Sequence, residues 1–260
     1  LEENDMTTPL RIGISGPNGR MGAALVELVD AASDLEVTAR ITLPNESGGL
    51  PLSKWGNDPC DVLIDFTHRE AVADHAEWTA RHGVAWVLGT TGLTPEDHAH
   101  VAEAAKHTLV FQASNFSLGV ALLTDLAARA ARVLGLDADV EIIEAHHHHK
   151  KDAPSGTALS VAKAIATARG QDFEAVRCDG RSGICGERPR GEIGIHAIRL
   201  GDVVGEHEVQ LAWPLERIKI SHEARDRKVF AHGALRAARF AAERRAAGDT
   251  GWVGMAELLA

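Results

Sequence analysis

The sequence has little of several features that would each mark a particular kind of protein. Its 260 residues contain three cysteines, Cys60, Cys178 and Cys185. Their odd number and scattered spacing exclude a disulfide framework or CxxC metal pair, and they fit a reducing compartment, so a cytoplasmic location is expected. No apolar run approaches the ~18 residues of a membrane span, and no membrane partner is expected. There is no basic excess either. Lys and Arg number 27 against 37 Asp and Glu, a formal charge of -10, which argues against a nucleic-acid partner, since that would need a basic stripe. Internal repeats and low-complexity linkers are missing. The first eight residues are acidic and polar, unlike a signal peptide. Residues 1–5 are expected to be a leader or remnant ahead of a start at Met6.

What remains is an ordinary globular composition, 45% hydrophobic and 25% charged, long enough for two modest domains. Strands are predicted over 10–15, 35–41, 62–66, 84–88 and 108–112. Helices are predicted between them over 20–32, 70–82 and 95–107, the last with Pro95 in its first turn. That alternation implies a parallel sheet covered on both faces. The pattern then changes. A helix over 118–134, a strand over 140–143 and a helix over 156–169 precede three consecutive strand-like runs at 193–200, 206–212 and 217–222. Consecutive strands with short turns suggest an antiparallel or mixed sheet in a second, α+β domain. A helical tail from 229 to 245 is expected to pack back on the first domain. The expected division is therefore 1–116 with 227–260, and 117–226.

Gly16-Pro17-Asn18-Gly19-Arg20-Met21-Gly22 joins the first predicted strand to the first helix. Glycines there allow a sharp turn, close approach to a pyrophosphate and tight helix–strand packing, and the helix N-terminus favours phosphate. The loop therefore points to a Rossmann-like dinucleotide-binding domain. About 20 residues on, an acid would hold a ribose hydroxyl or an arginine a 2′-phosphate. The sequence there reads Ala39-Arg40-Ile41-Thr42-Leu43, with no acid before Glu46. Arg40 and Arg20 are the nearby cations.

The most unusual stretch is Glu144-Ala145-His146-His147-His148-His149-Lys150-Lys151-Asp152-Ala153-Pro154-Ser155-Gly156-Thr157. Consecutive histidines on an extended chain point to opposite faces, and no carboxylate or cysteine set completes a tetrahedral site, so no metal is expected. Histidine can donate a proton near neutrality and lysine adds a fixed positive charge. Ser155 is placed to cap a helix whose first N–H groups, at Gly156 and Thr157, can hold a carboxylate. The stretch therefore describes a carboxylate-binding site that can also protonate its ligand.

These residues resemble the dihydrodipicolinate (4-hydroxy-tetrahydrodipicolinate) reductases of the diaminopimelate route to lysine. The resemblance runs over nearly the whole chain. It rests on the loop from Gly16 to Gly22, Asp65-Phe66-Thr67, Gly89-Thr90-Thr91-Gly92, Ser114-Asn115-Phe116-Ser117, residues 144–159, residues 181–187 and residues 193–208, which end in Gly205-Glu206-His207-Glu208. The resemblance implies an oxidoreductase using NADPH, NADH or both on a small cyclic dicarboxylate. It implies cofactor contacts at Gly16, Asn18, Gly19, Arg20, Met21, Gly22, Arg40, Phe66, Thr67, Gly89, Thr90, Thr91, Ser114, Asn115 and Phe116, with the nicotinamide near Phe66-Thr67 and the loop at 89–92. His146 matches the family's acid and Lys150 its proton donor, while His147, Lys150, Gly156 and Thr157 match positions that hold the substrate carboxylates. A homotetramer built through the second domain's sheet is also implied.

Two positions depart from the family's pattern. His148 stands where Arg or Pro is common and is assigned no role, and Thr42-Leu43 stands where an acidic–arginine pair is common. The residues alone leave other readings open. One is another two-domain dehydrogenase, of the aspartate or sugar kind, which the 146–157 segment fits poorly. Another is a nucleotide-sensing protein, which would need no proton donors. A metal-dependent hydrolase using the histidines is a third. Arg227, after the last predicted strand, serves equally well at the domain junction or as a surface residue.

Overall fold

The computed structural model describes residues 8–42, 46–56 and 59–260. The expected leader at 1–5, the start at Met6, and Leu43 lie outside the described residues. The chain divides into two compact units, Leu1–Phe116 with Phe230–Ala260, and Ser117–Val229.

The first unit alternates strand and helix: β1 Leu10–Ser15, α1 Arg20–Asp30, β2 Leu35–Ile41, β3 Val62–Asp65, α2 Val72–His82, β4 Ala85–Leu88, α3 Pro95–Ala104 and β5 Leu109–Gln112. The strands are short and apolar because both faces of the sheet are covered. Alternate residues go to opposite sides. Ile12, Ile14, Val62, Ile64, Ala85, Val87, Leu109 and Phe111 share one core with Leu25 and Val29 of α1. Leu63, Trp86, Leu88 and Val110 share the other with Val72, Ala76 and Trp78 of α2 and Val101 of α3.

The second unit opens with α4 Leu118–Leu134, β6 Asp139–His146, α5 Gly156–Ala168, the short α6 Phe173–Val176, β7 Arg177–Asp179, β8 Ile193–Arg199, β9 Gly205–Trp213 and β10 Glu216–Ala224. Helix α7, Lys228–Ala246, then returns the chain to the first unit, followed by β11 Gly251–Val253 and α8 Met255–Leu259. Seated on the first core are Ala231, Ala234, Ala237, Ala238 and Ala241 of α7. A Cβ on Gly233 would stand 1.6 Å from the Phe116 carbonyl oxygen, so only glycine allows the helix this close.

The first sheet has the order β11-β5-β4-β3-β1-β2, and every pair is parallel. The chain steps outward from β1 to β2, then restarts on the other side of β1 with β3. That reversal is the topological switch point at which open α/β sheets bind ligands, beyond the strands' carboxyl ends. Ser15 pairs with Asp65 there, which brings the segments starting at Gly16 and Phe66 side by side.

The second sheet is mixed, with order β10-β9-β6-β8-β7. The simple succession expected for the three C-terminal strands is corrected in one respect. β8 and β9 do not pair, because β6 lies between them, parallel to β8 and antiparallel to β9. Val140 and Ile142 make β6 the apolar middle of the core beneath α4 and α5. The turn from β8 to β9 must therefore cross the end of β6, where Leu200 N–H donates to His146 O at 3.0 Å. β6 also runs three residues beyond its expected end, so Glu144 and His146 are strand residues.

Candidate active site

In the first unit, the glycine loop folds back on the helix it precedes. Gly16 has φ +73°, and Gly19 caps α1 with no side-chain acceptor of its own. A Cβ on Gly22 would stand 2.1 Å from Gly16 O and 2.7 Å from Pro17 Cα. The first turn of α1 holds no acidic residue. A closed glycine loop over an uncontested helix N-terminus fits the pyrophosphate of a dinucleotide. Asn18 donates through Nδ2 to Ser47 O at 2.9 Å, Met21 packs on the core, and Arg20 and Arg40 are exposed.

Beside this loop lies a buried polar network. Asp65 is fully buried, and its Oδ1 accepts from Thr67 N at 3.0 Å, Thr67 Oγ1 at 2.6 Å and Thr90 Oγ1 at 3.4 Å. Its Oδ2 meets His75 Nδ1 at 2.7 Å, and His75 Nε2 meets Ser15 Oγ at 3.1 Å. Burial favours the neutral form of each partner, but their attraction outweighs it. Asp65 is held below the usual carboxylate range, and His75 is raised above the usual imidazole range. Gly89 is required by Phe66, whose ring carbon Cε1 would lie 2.1 Å from an added Cβ. The Phe66 ring packs edge-on to Phe116 at 5.2 Å. The structure thus gathers Gly16, Phe66, Thr67, Gly89, Thr90 and Phe116 at the switch point. Thr91 and Ser114 are exposed, and Asn115 is half-buried.

In the second unit, His146 is the last residue of β6, and residues 147–150 form a turn closed by Lys150 N–H to His147 O at 3.1 Å. The histidines are therefore not on an extended run, as expected, but divided between a strand end and a turn. His148 donates its N–H to Gly201 O and faces solvent. Lys150 Nζ lies 2.9 Å from the Asp152 carboxylate. Ser155 caps α5, accepting from Ala158 N–H at 3.2 Å, and Gly156 has open space where a Cβ would be. Arg227 Nη2 lies 3.2 Å from His147 Nε2. Burial, then Arg227, His149, His146 and Lys150, push the His147 imidazole toward its neutral form. Its Nδ1 is buried with no hydrogen-bond partner. Arg227 and Lys150 bring positive charge to this turn, which suits an anionic ligand.

Several residues here carried no assigned role in the sequence. Glu144 is fully buried; its Oε2 is 2.6 Å from His146 Nδ1, and its Oε1 accepts from Ser155 N–H at 2.9 Å. Arg199 grips both its oxygens at 2.8 Å. His207, opposite Glu144 in the sheet, has its ring 5.3 Å from His146 and its Nε2 3.2 Å from Ser155 Oγ. Burial, then the His146 charge, lowers His207 to about 4. The i, i+2 spacing of Glu144 and His146 was the available signal for the first of these. Arg199 and His207 lay within a motif of the resemblance but were given no role, and nothing local pointed to His75. Among the described residues, no group of three or more His, Cys, Asp or Glu side chains could hold a metal ion, and no helix is long and apolar enough to cross a membrane.

Known proteins share both halves of this arrangement. Residues 10–116 match the family model described as dihydrodipicolinate reductase, N-terminus, and residues 119–259 match the one described as dihydrodipicolinate reductase, C-terminus. A 4-hydroxy-tetrahydrodipicolinate reductase of Dinoroseobacter shibae is 45% identical over 247 residues, covering 87% of this chain and 91% of its own. One from Acinetobacter baumannii is 42% identical over 258 residues, covering 93% and 94%. Among solved structures, the dipicolinate-bound dihydrodipicolinate reductase of Paenisporosarcina sp. TG-14 superposes with a TM-score of 0.77 at 26% identity, covering 95% of this chain and 98% of that one. A diaminopimelate dehydrogenase of C. glutamicum shares the fold at TM-score 0.60 and 12% identity, covering 98% and 96%.

Proposed function

The chain belongs to the dihydrodipicolinate reductase family, and from that premise we propose how its residues divide the work of the reaction. The reaction is the NAD(P)H-dependent reduction of 4-hydroxy-tetrahydrodipicolinate to tetrahydrodipicolinate, on the diaminopimelate route to lysine: the 4-hydroxyl leaves as water, and the unsaturated ring takes hydride at C4 and a proton at the adjacent carbon.

Gly16, Asn18, Gly19, Arg20, Met21 and Gly22 hold the dinucleotide's phosphates. Phe66, Thr67, Gly89, Thr90, Thr91, Ser114, Asn115 and Phe116 surround its nicotinamide end. When bound, the reduced nicotinamide supplies the hydride that goes to C4 of the substrate ring. The missing acid at the end of β2, with Arg20 and Arg40 exposed nearby, supports acceptance of NADPH as well as NADH, with Arg40 toward the 2′-phosphate.

His147, Lys150, Gly156 and Thr157 hold the substrate's carboxylates. The observation that carries this is the Arg227 guanidinium 3.2 Å from His147 Nε2, in the turn that ends in Lys150. His146 serves as the acid and Lys150 as the proton donor, protonating the carbon next to the one that receives hydride. A planar pyridine dicarboxylate fits the same charge pattern, and the Paenisporosarcina relative has dipicolinate bound; inhibition by dipicolinate is expected. Cytoplasmic location and a homotetramer through the second unit's sheet complete the reading. Ile184 and Leu215, fully exposed in the single chain, support a buried role in an assembly, which light scattering would test.

The central test is oxidation of NADPH and, separately, NADH, with substrate generated in place from pyruvate and aspartate semialdehyde by the preceding synthase. Rapid enzyme-dependent oxidation is expected with NADPH. Cofactor binding without oxidation would favour a nucleotide sensor over a reductase.

A further inference from the structure

We infer that the buried Glu144–Arg199 pair is a positioning device that fixes, through one carboxylate, both the acid His146 and the start of the carboxylate-binding helix. The inference rests on the reading of His146 as the acid.

The sheet register builds the device. Arg199 of β8 lies beside His146, and His207 of β9 lies beside Glu144. Glu144 shares a strand face with His146, two residues away. Burial alone would favour a protonated Glu144, but hydrogen bonds from Arg199, His146 and the Ser155 N–H hold it below the usual carboxylate range. An ionised carboxylate can only accept hydrogen bonds, so the His146 Nδ1 facing it must carry a hydrogen. That leaves Nε2 as the nitrogen that exchanges a proton with a ligand.

The same carboxylate holds the Ser155 N–H, one residue before Gly156. Arg199 extends the grip by donating through Nη2 to the Asp152 carbonyl at 2.7 Å. Residues 146, 152 and 155 are thereby tied to one ion pair, and between them runs the turn that carries Lys150. A buried ion pair has a large desolvation cost and is often replaceable by apolar residues for stability alone. An apolar pair could not orient a ring N–H and a helix start together. Other groups facing His146 are His207 of β9, with His222 of β10 behind it, and Lys150 and His147 in the following turn.

The test compares the full chain with Glu144→Gln and Glu144→Asp. It reads kcat across pH, NADPH affinity, dipicolinate affinity and thermal unfolding. Glu144→Gln should lower kcat roughly 10- to 100-fold and weaken dipicolinate binding, with NADPH affinity unchanged. With the accepting carboxylate replaced by an amide that no longer fixes the ring, its kcat profile against pH should change shape from the wild type. Glu144→Asp keeps the charge but is too short to span both groups. It should keep the shape of the wild-type profile while losing kcat. If Glu144→Gln keeps the wild-type kcat per folded molecule and the wild-type profile, changing only the unfolding temperature, the pair is structural and the inference is overturned. If the unaltered chain does not oxidise NADPH with its substrate, the reading of His146 as an acid fails first and the inference goes with it.

Discussion

His75 Nδ1 stands 2.7 Å from Asp65 Oδ2, with the two side chains only 4% and 0% exposed. The contact favours an ion pair: against the burial that opposes both charges, it raises His75 and lowers Asp65. It sits beneath both threonines assigned to the nicotinamide end. Replacing His75 with Leu leaves a buried carboxylate short of its countercharge, which costs about 3–5 kcal/mol. Urea unfolding should show that loss, and NADPH titration should show weakened binding as Asp65, which anchors Thr67 and Thr90, loses its partner. The sign with pH follows from linkage. His75 is raised above 6.5 in the folded state, so its contribution is complete below that pH and fades as pH rises through the raised value. The stability gap between wild type and variant should narrow at alkaline pH. A gap independent of pH would show that His75 is neutral there.

His207 makes the opposite prediction. It is 4% exposed and lowered to about 4, so it stays neutral in the folded chain where the unfolded chain takes up a proton. Stability is therefore full above the unfolded value of 6.5 and is lost as pH falls toward 4. Over that window one such histidine accounts for on the order of 3 kcal/mol. His207→Gln, which cannot titrate, should flatten the acid side of the curve of unfolding free energy against pH. An unchanged acid slope would mean that other groups set it.

Much of the first unit was legible because its signals are local. A glycine loop between strand and helix, apolar strands of four to seven residues, and a capped Pro95 helix each announce themselves within a dozen residues. The threonines of the two motifs were legible too, but not His75, which joins them from the buried face of α2 and looks like any helical histidine. β7 in the second unit and β11 in the first, three residues each, are too short to show alternation. The insertion of β6 between β8 and β9 is a long-range choice that no local period encodes. Arg199 and His207 enter the candidate site only through that insertion. The sequence therefore pointed to His146 and Lys150 as candidate chemistry, while the partners of Glu144 and His146 depended on sheet order.

Two glycines separate the two ends of the proposed cofactor site. At Gly22 the obstacle to a side chain is backbone, Gly16 O at 2.1 Å, whereas at Gly89 it is the Phe66 ring, also at 2.1 Å. A backbone obstacle forces the whole loop to move. Gly22→Ala should therefore weaken NADPH affinity by roughly tenfold or more, with a cooperative unfolding transition retained at a lower midpoint. At Gly89 the ring can rotate at a cost of about 1–3 kcal/mol. Gly89→Ala should lower kcat more than it weakens cofactor binding, because only the nicotinamide end is disturbed. Fluorescence titration and steady-state kinetics would separate the two patterns, and equal effects on binding would argue against placing the phosphates and the nicotinamide at opposite ends of this site.

Gly205 tests the open side of His146. A Cβ there would stand 3.2 Å from His146 Nε2 and 3.5 Å from Cδ2. With Nδ1 held by Glu144, Nε2 is the nitrogen that must reach a ligand, and it has little room to retreat. A methyl group at 205 would crowd the proton-transferring edge of the ring by a few tenths of an ångström without adding charge. Gly205→Ala should therefore lower kcat roughly tenfold, as expected when a reacting group is slightly misplaced, while leaving the pH limbs where they are in the wild type. That distinguishes it from Glu144→Gln, whose profile should change shape. If Gly205→Ala turns over at the wild-type rate, Nε2 does not work on that side of the ring, and the proton must leave His146 along a different path.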